Sequence, residues 1–160
     1  MISEKLTAAL NGQVAAEMWS SNLYLSMSFC MQHAGYDGFA HWLKKQSAEE
    51  LEHACQIADY IAKRGGKPQV SKIDAVPVEW ASPKDVFKQV YEHECHISKL
   101  INDLVRMASE ERDNATQDFL WGFVREQVEE EATSMSISEK ISKASDGALL
   151  ILDSKLGSRA

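Results

Sequence analysis

Gly65-Gly66-Lys67-Pro68-Gln69-Val70-Ser71-Lys72-Ile73-Asp74-Ala75-Val76-Pro77-Val78-Glu79-Trp80-Ala81-Ser82-Pro83 contains every proline of the chain. None occurs in residues 1–67 or 84–160. Proline breaks helix interiors, so the two flanking blocks, rich in Ala, Leu, Glu, Lys, Gln and Met, favour long helices. Strand alternation with Gly-rich hairpins is absent. Working outward, Lys63-Arg64 before Gly65-Gly66 reads as a helix end, with basic residues in the last turn and glycine beyond. Ser82-Pro83-Lys84-Asp85 reads as a helix start, with Ser at the N-cap, Pro at N1 and an acid at N3.

The same reasoning places the other boundaries. A first helix runs from about Ser3 to His33, before Gly35, and Asp37 is positioned to cap a second. The third helix continues to about Glu111. Asp113-Asn114 starts a fourth, reaching about Lys143, and Ser145-Asp146-Gly147 precedes a short apolar helix, Ala148 to Leu156. Tight turns make the first and third junctions antiparallel hairpins. The link over residues 66–82 could span ~56 Å when extended, against ~42 Å for a helix of about 28 residues. It can therefore run the length of a bundle and leave the second and third helices parallel. The expectation is an all-α fold: a four-helix bundle with one long crossover loop and a short fifth C-terminal helix.

Composition narrows the class. The chain has 160 residues, 44% hydrophobic and 26% charged, with a net charge of −7. This suits one soluble domain over residues 1–160. The longest apolar run, Ala148 to Leu152, is far short of the ~18 residues of a membrane helix. Met1 to Leu10 carries Glu4 and no apolar h-region, so no signal peptide is expected. The acidic balance argues against nucleic-acid binding. Cys30, Cys55 and Cys95 are odd in number and form no CxxC pair, which reads as a reduced, cytoplasmic chain.

Each long helix carries an apolar stripe at helical spacing. These read Leu6, Leu10, Gln13, Glu17, Tyr24, Met31; then Phe39, Leu43, Glu50, His53, Ala54, Ile57, Ile61; then Phe87, Val90, Glu94, Ile97, Ile101, Leu104; then Leu120, Phe123, Gln127, Glu130, Ser134, Ile137, Ile141. An acid interrupts every stripe. Measured from turns centred at 35.5 and 112.5, Glu17 and Glu50 differ in depth by ~6 Å and Glu94 and Glu130 by ~1.5 Å. An internal repeat supports this: adding 77 takes Glu17 to Glu94, Glu50 to Gln127, His53 to Glu130, Glu49 to Glu126 and Glu52 to Glu129.

A single Glu on such a stripe is ordinarily a boundary residue whose carboxylate reaches water. Four ionised carboxylates at one level repel and are costly to desolvate. Two divalent cations would balance them, and carboxylate oxygen with imidazole nitrogen suits iron, manganese or zinc. Glu50 and His53, at i and i+3, can share one metal.

Over its whole length the chain resembles the bacterial non-haem ferritins. The carrying segments are Glu17-Met18-Trp19-Ser20-Ser21-Asn22-Leu23-Tyr24, Glu49-Glu50-Leu51-Glu52-His53, Glu92-His93-Glu94, Phe119-Leu120-Trp121, and Glu126-Gln127-Val128-Glu129-Glu130-Glu131. The resemblance implies a ferritin-like iron store with ferroxidase activity, oxidising Fe(II) with O₂ or H₂O₂ at a di-iron centre inside each subunit. By that resemblance Glu17 and His53 bind one iron, Glu50 bridges both, and Glu94 and Glu130 complete the second. Gln127 donates a hydrogen bond beside the oxygen-binding face. Glu49, Glu126 and Glu129 join Glu130 in a third iron site, and Tyr24 is a nearby electron donor. Product iron becomes a ferric oxide-hydroxide mineral inside a hollow homo-oligomeric shell of twenty-four subunits, lined at its fourfold axes by the fifth helix.

The second half reads Gln127-x-x-Glu130 where symmetric di-iron bundles repeat Glu-x-x-His. This separates the chain from rubrerythrins and bacterioferritins and makes the two irons chemically unequal. Position 52 is Glu52 rather than a haem-ligating Met, so no haem is expected. A peroxidase on the same bundle would need an electron-delivery module, and the chain has no rubredoxin-like CxxC pair. The cysteines and Met18, Met27 and Met31 read as packing residues. His33, His41, His93 and His96 read as surface or interface groups. No nucleic acid or membrane partner is expected.

Overall fold

The computed structural model describes residues 1–160. It contains five helices: α1 Glu4–His33, α2 Asp37–Lys63, α3 Pro83–Glu110, α4 Asn114–Lys143 and α5 Asp146–Leu156. The repeat of 77 holds in the structure, since it carries the end of α1, His33, onto Glu110 and the start of α2, Asp37, onto Asn114. Side-chain caps set most starts. Ser3 Oγ accepts from the Leu6 N–H at 3.0 Å, Ser82 Oγ from Asp85 at 3.3 Å, Asp113 Oδ1 from Thr116 at 3.0 Å and Ser145 Oγ from Ala148 at 3.3 Å. Each satisfies a donor that a helix start leaves free. Gly35 and Gly65 follow the ends of α1 and α2 with φ of +86° and +82°, the left-handed conformation that glycine adopts without a Cβ clash.

The start of α2 departs from the sequence expectation. Asp37 lies inside the first turn, and Tyr36 at the N-cap makes no side-chain cap. The cap comes from α5 instead: Asp153 Oδ1 accepts from the Phe39 N–H at 2.8 Å. Residue 38 must be small for this approach, because a Cβ there would lie 1.7 Å from the Asp153 carbonyl oxygen. α5 begins at Asp146, two residues before the expected Ala148, because Ser145 caps it. Its apolar surface divides. Leu149, Leu152 and Leu156 pack on the bundle, while Leu150 and Ile151 stay 61% and 70% exposed.

The crossover follows α1 from one end toward the other. Asn11 Nδ2 donates to the Lys67 carbonyl at 2.9 Å, Trp19 Nε1 to Ala75 at 3.4 Å and Ser26 Oγ to Pro77 at 2.5 Å. Successive loop residues thus meet successive turns of α1, and α3 starts at the opposite end from where α2 stops. α2 and α3 are therefore parallel. Arg64 closes the other end, its Nη1 and Nη2 each 3.1 Å from an Asp113 oxygen, and ties the first hairpin to the second. Such a forked pair is stronger than a single contact.

The interior has two apolar clusters. One joins Leu6, Leu10, Ile57, Ile61, Ile97, Ile101, Leu104 and Leu120. The other joins Leu23, Met27, Phe39, Leu43, Phe87 and Val90. In each helix the carboxylate position falls between the residues given to the two clusters, so a polar layer crosses the bundle at mid-height.

Candidate metal centre

Glu17 enters this layer from α1, Glu50 and His53 from α2, Glu94 from α3, and Gln127 and Glu130 from α4. Glu17, Glu50 and His53 are buried and each offers one ligand atom, all within 4.8 Å of one another. Glu50 Oε2 is 3.3 Å from His53 Nδ1, as the i, i+3 spacing on one helix allows. His53 Nε2 meets Glu126 Oε1 at 2.8 Å. Gln13 Nε2 donates to Glu17 Oε1 at 2.9 Å, while Glu17 Oε2 is buried with no partner. On the α3 side, the Tyr24 hydroxyl donates to Glu94 Oε1. Gln127 Nε2 donates to both the carbonyl and Oε2 of Glu94, each at 3.2 Å.

The electrostatics follow from burial without a matching cation. Burial, then the neighbouring Glu50, pushes the Glu17 carboxyl well above its usual range. Burial also raises Glu50. Glu94 is pushed up by burial, with Glu130 adding to the effect against the hydrogen bonds from Tyr24 and Gln127, to about 7. Burial opposes a charged His53, but its hydrogen bonds to Glu126 and Glu50 win and push it up to about 11. The metal-free cluster therefore keeps protons and uses the His53 imidazolium as its internal cation.

An unpartnered buried carboxylate oxygen beside a second carboxylate and an imidazole fits a divalent cation, and the mixed oxygen–nitrogen donor set suits iron, manganese or zinc. A cation there must displace the protons. We expect about two protons per subunit to be released when Zn(II) is added near pH 7, measured by pH-stat; zinc binding without release would show that neither the carboxylates nor His53 hold a proton in the metal-free site. The linkage has a definite sign. Glu94, at about 7 against 4.5, and His53, at about 11 against 6.5, both hold protons that the unfolded chain gives up. Stability of the metal-free protein thus falls as pH rises, through Glu94 between about 4.5 and 7 and through His53 between about 6.5 and 11.

The residues singled out from sequence do not all converge equally. Glu17, Glu50, His53, Glu94, Gln127 and Tyr24 form the buried layer. Glu130 is half-buried rather than within the core; its Oε2 accepts from Gln46 Nε2 at 2.7 Å. Glu126 contacts His53 from a half-exposed position. Glu49 is turned to Arg159, with 2.9 Å between its Oε1 and Nη2. Glu129 is exposed, and no hydrogen bond or ion pair reaches it.

Sequence reasoning missed Gln46, although it lies on the α2 stripe between Leu43 and Glu50 at helical spacing. It also read His93 as a surface or interface group. His93 is instead buried, hydrogen-bonded to Ser20 Oγ at 2.7 Å and packed against the rings of Trp19 and Tyr24. Burial, with His96 adding to it, lowers His93 to about 4, so its ring is neutral. Nothing in the spacing pointed to Arg159, which lies beyond the last helix.

The family model described as a ferritin-like domain matches residues 7–144. A protein of Bacteroides fragilis named bacterial non-heme ferritin is 61% identical over 159 residues, covering 99% of this chain and 100% of that protein. One of Escherichia coli with the same name is 32% identical, covering 98% of this chain and 96% of that protein. The fold matches a crystal structure described as a novel open pore ferritin from the hyperthermophilic archaeon Archaeoglobus fulgidus, with a TM-score of 0.98, 44% identity and 100% of both chains covered.

Proposed function

The chain belongs to the ferritin family, among the bacterial non-haem ferritins, and from that premise we propose that it stores iron and oxidises Fe(II) to Fe(III) as a ferroxidase. Iron is the substrate, and O₂ or H₂O₂ is the oxidant. The observation that carries this reading is the buried, unpartnered Glu17 oxygen beside Glu50 and His53. Anionic oxygen ligands favour ferric over ferrous iron and so favour loss of the electron. Two Fe(II) supply two electrons, which with two protons reduce one O₂ to H₂O₂.

In this reading Glu17 and His53 take one iron, Glu50 bridges, and Glu94 and Glu130 take the second. Gln127 donates a hydrogen bond from Nε2 to Glu94 rather than ligating. Glu49, Glu126, Glu129 and Glu130 make a third site at the edge of the layer. Tyr24 serves as an electron donor whose phenolic proton has an acceptor in Glu94. Residues 1–160 act as one domain, and the exposed Leu150 and Ile151 are covered by other copies in a twenty-four-subunit shell, as unsatisfied apolar patches require. No helix is long and apolar enough to cross a membrane; we place the protein in the cytoplasm, with neither nucleic acid nor membrane as partner and without haem.

The test is stopped-flow absorbance after mixing metal-free protein with two Fe(II) per subunit in air. A rapid visible transient decaying to a ferric-oxo band, with about one O₂ consumed per two irons, is expected. Slow oxidation matching a protein-free control would rule out a paired ferroxidase site.

A further inference from the structure

Arg159 returns from beyond α5 to the edge of the carboxylate layer. Its Nη2 is 2.9 Å from Glu49 Oε1, and its Nη1 donates to Gln46 Oε1 at 2.9 Å and to the Trp42 carbonyl at 3.1 Å. The guanidinium lies 4.8 Å above the Trp42 ring, and its own carbonyl meets His41 Nε2 at 2.7 Å. Gln46 passes the contact inward, donating to Glu130 Oε2 at 2.7 Å. A surface ion pair held by one floppy contact contributes little. Here a planar fork is fixed by a carboxylate, an amide, a main-chain oxygen and an aromatic face together, and the Arg159 side chain is only 22% exposed.

We propose that Arg159 is a tethered competitor cation at the outer carboxylate site: its guanidinium holds Glu49 until a divalent ion displaces it, so filling of that site is gated by release of Arg159. The inference rests on the reading of Glu49, Glu126, Glu129 and Glu130 as a metal site. The guanidinium occupies Glu49 Oε1, and its charge repels a dication approaching Glu130 through the short Gln46 relay. Release also strips the cation from the Trp42 ring. The inner ligands Glu17, Glu50 and His53 have no hydrogen bond or ion pair with Arg159, whereas Glu130, which the proposed reading shares between the second inner iron and the outer site, is reached from Arg159 through Gln46. Metal would thus fill the position at Glu17, Glu50 and His53 before the outer one.

The test is calorimetric titration of the assembled, metal-free protein with Zn(II), with tryptophan emission recorded in parallel. In wild type the emission is expected to shift with the third equivalent. In Arg159→Ala the third equivalent should bind about three- to tenfold more tightly, with no such emission change and with the first equivalent, at Glu17, Glu50 and His53, unaltered. Arg159→Lys, which keeps the charge but not the fork, should fall between. An unchanged third affinity in Arg159→Ala would overturn the gate while leaving the inner centre standing. A parallel change in all three steps would also overturn it, by making Arg159 a general support of the fold. If neither protein takes a third ion, the outer-site reading fails together with the gate. If neither takes even two, the paired centre itself fails.

Discussion

Glu50→Ala is expected to slow the fast phase of Fe(II) oxidation by at least about 100-fold while leaving the helices folded. Groups that merely orient metal ligands already cost about 10–100-fold in affinity or activity when removed. Glu50 stands closer to the chemistry. It shares the buried cluster with Glu17 and His53, its Oε2 faces the His53 ring, and it feels the charge of Glu94 across the bundle. If Glu50 bridges as proposed, removing it leaves two half-sites with no common ligand. The fold does not depend on it in the same way, because burial opposes its charged form. Alanine is also the best helix former. The metal-free variant should therefore keep a cooperative thermal transition. Stopped-flow absorbance and differential scanning calorimetry together check both halves, and an unchanged fast phase would place oxidation elsewhere.

Gly38→Ala should detach α5. Exchanging glycine for alanine inside a helix ordinarily stabilises by about 1 kcal/mol, so the expected sign is opposite to the usual one. The new Cβ would meet the Asp153 backbone, which cannot swing aside like a side-chain tip. Moving α5 away removes the Asp153 cap from α2, a loss of about 1 kcal/mol. It also exposes Leu149, Leu152 and Leu156, whose partial burial is worth on the order of 1 kcal/mol each. We expect rapid tryptic cleavage after Lys143 and loss of high-molecular-weight particles on gel filtration. Gly12→Ala, where nothing lies within 4 Å of the added Cβ, is the control and should resist trypsin like wild type. Equal resistance in both variants would show that α5 docks without the close approach at Gly38.

The parts legible in the sequence were those written in period and punctuation. Serine caps, the proline cluster and the glycines after α1 and α2 placed four helices within one or two residues, because each acts on its own neighbours in the chain. The buried acids were legible because they break stripes whose other members are apolar, and the offset of 77 doubled that signal. What stayed hidden depends on contacts distant in sequence. The cap of α2 comes from Asp153, 114 residues after the Phe39 N–H that it accepts from. Arg159 reaches Glu49 from outside every helix, so no periodicity carries it. His93 sits off its stripe, yet Ser20, Trp19 and Tyr24 of α1 cover it. Glu130 was read as deep because its spacing matches the stripe, but α4 presents it at the layer's edge, where Gln46 reaches it.

The mid-height layer has a consequence for how the molecule holds together in motion. A continuous apolar interior transmits every local opening to the whole. Here two apolar blocks meet across a polar seam, and each of the four long helices runs unbroken through both. A dication bound to Glu17, Glu50 and His53 would clamp α1 to α2 at that seam. Rigidity would then rise and fall with the supply of metal.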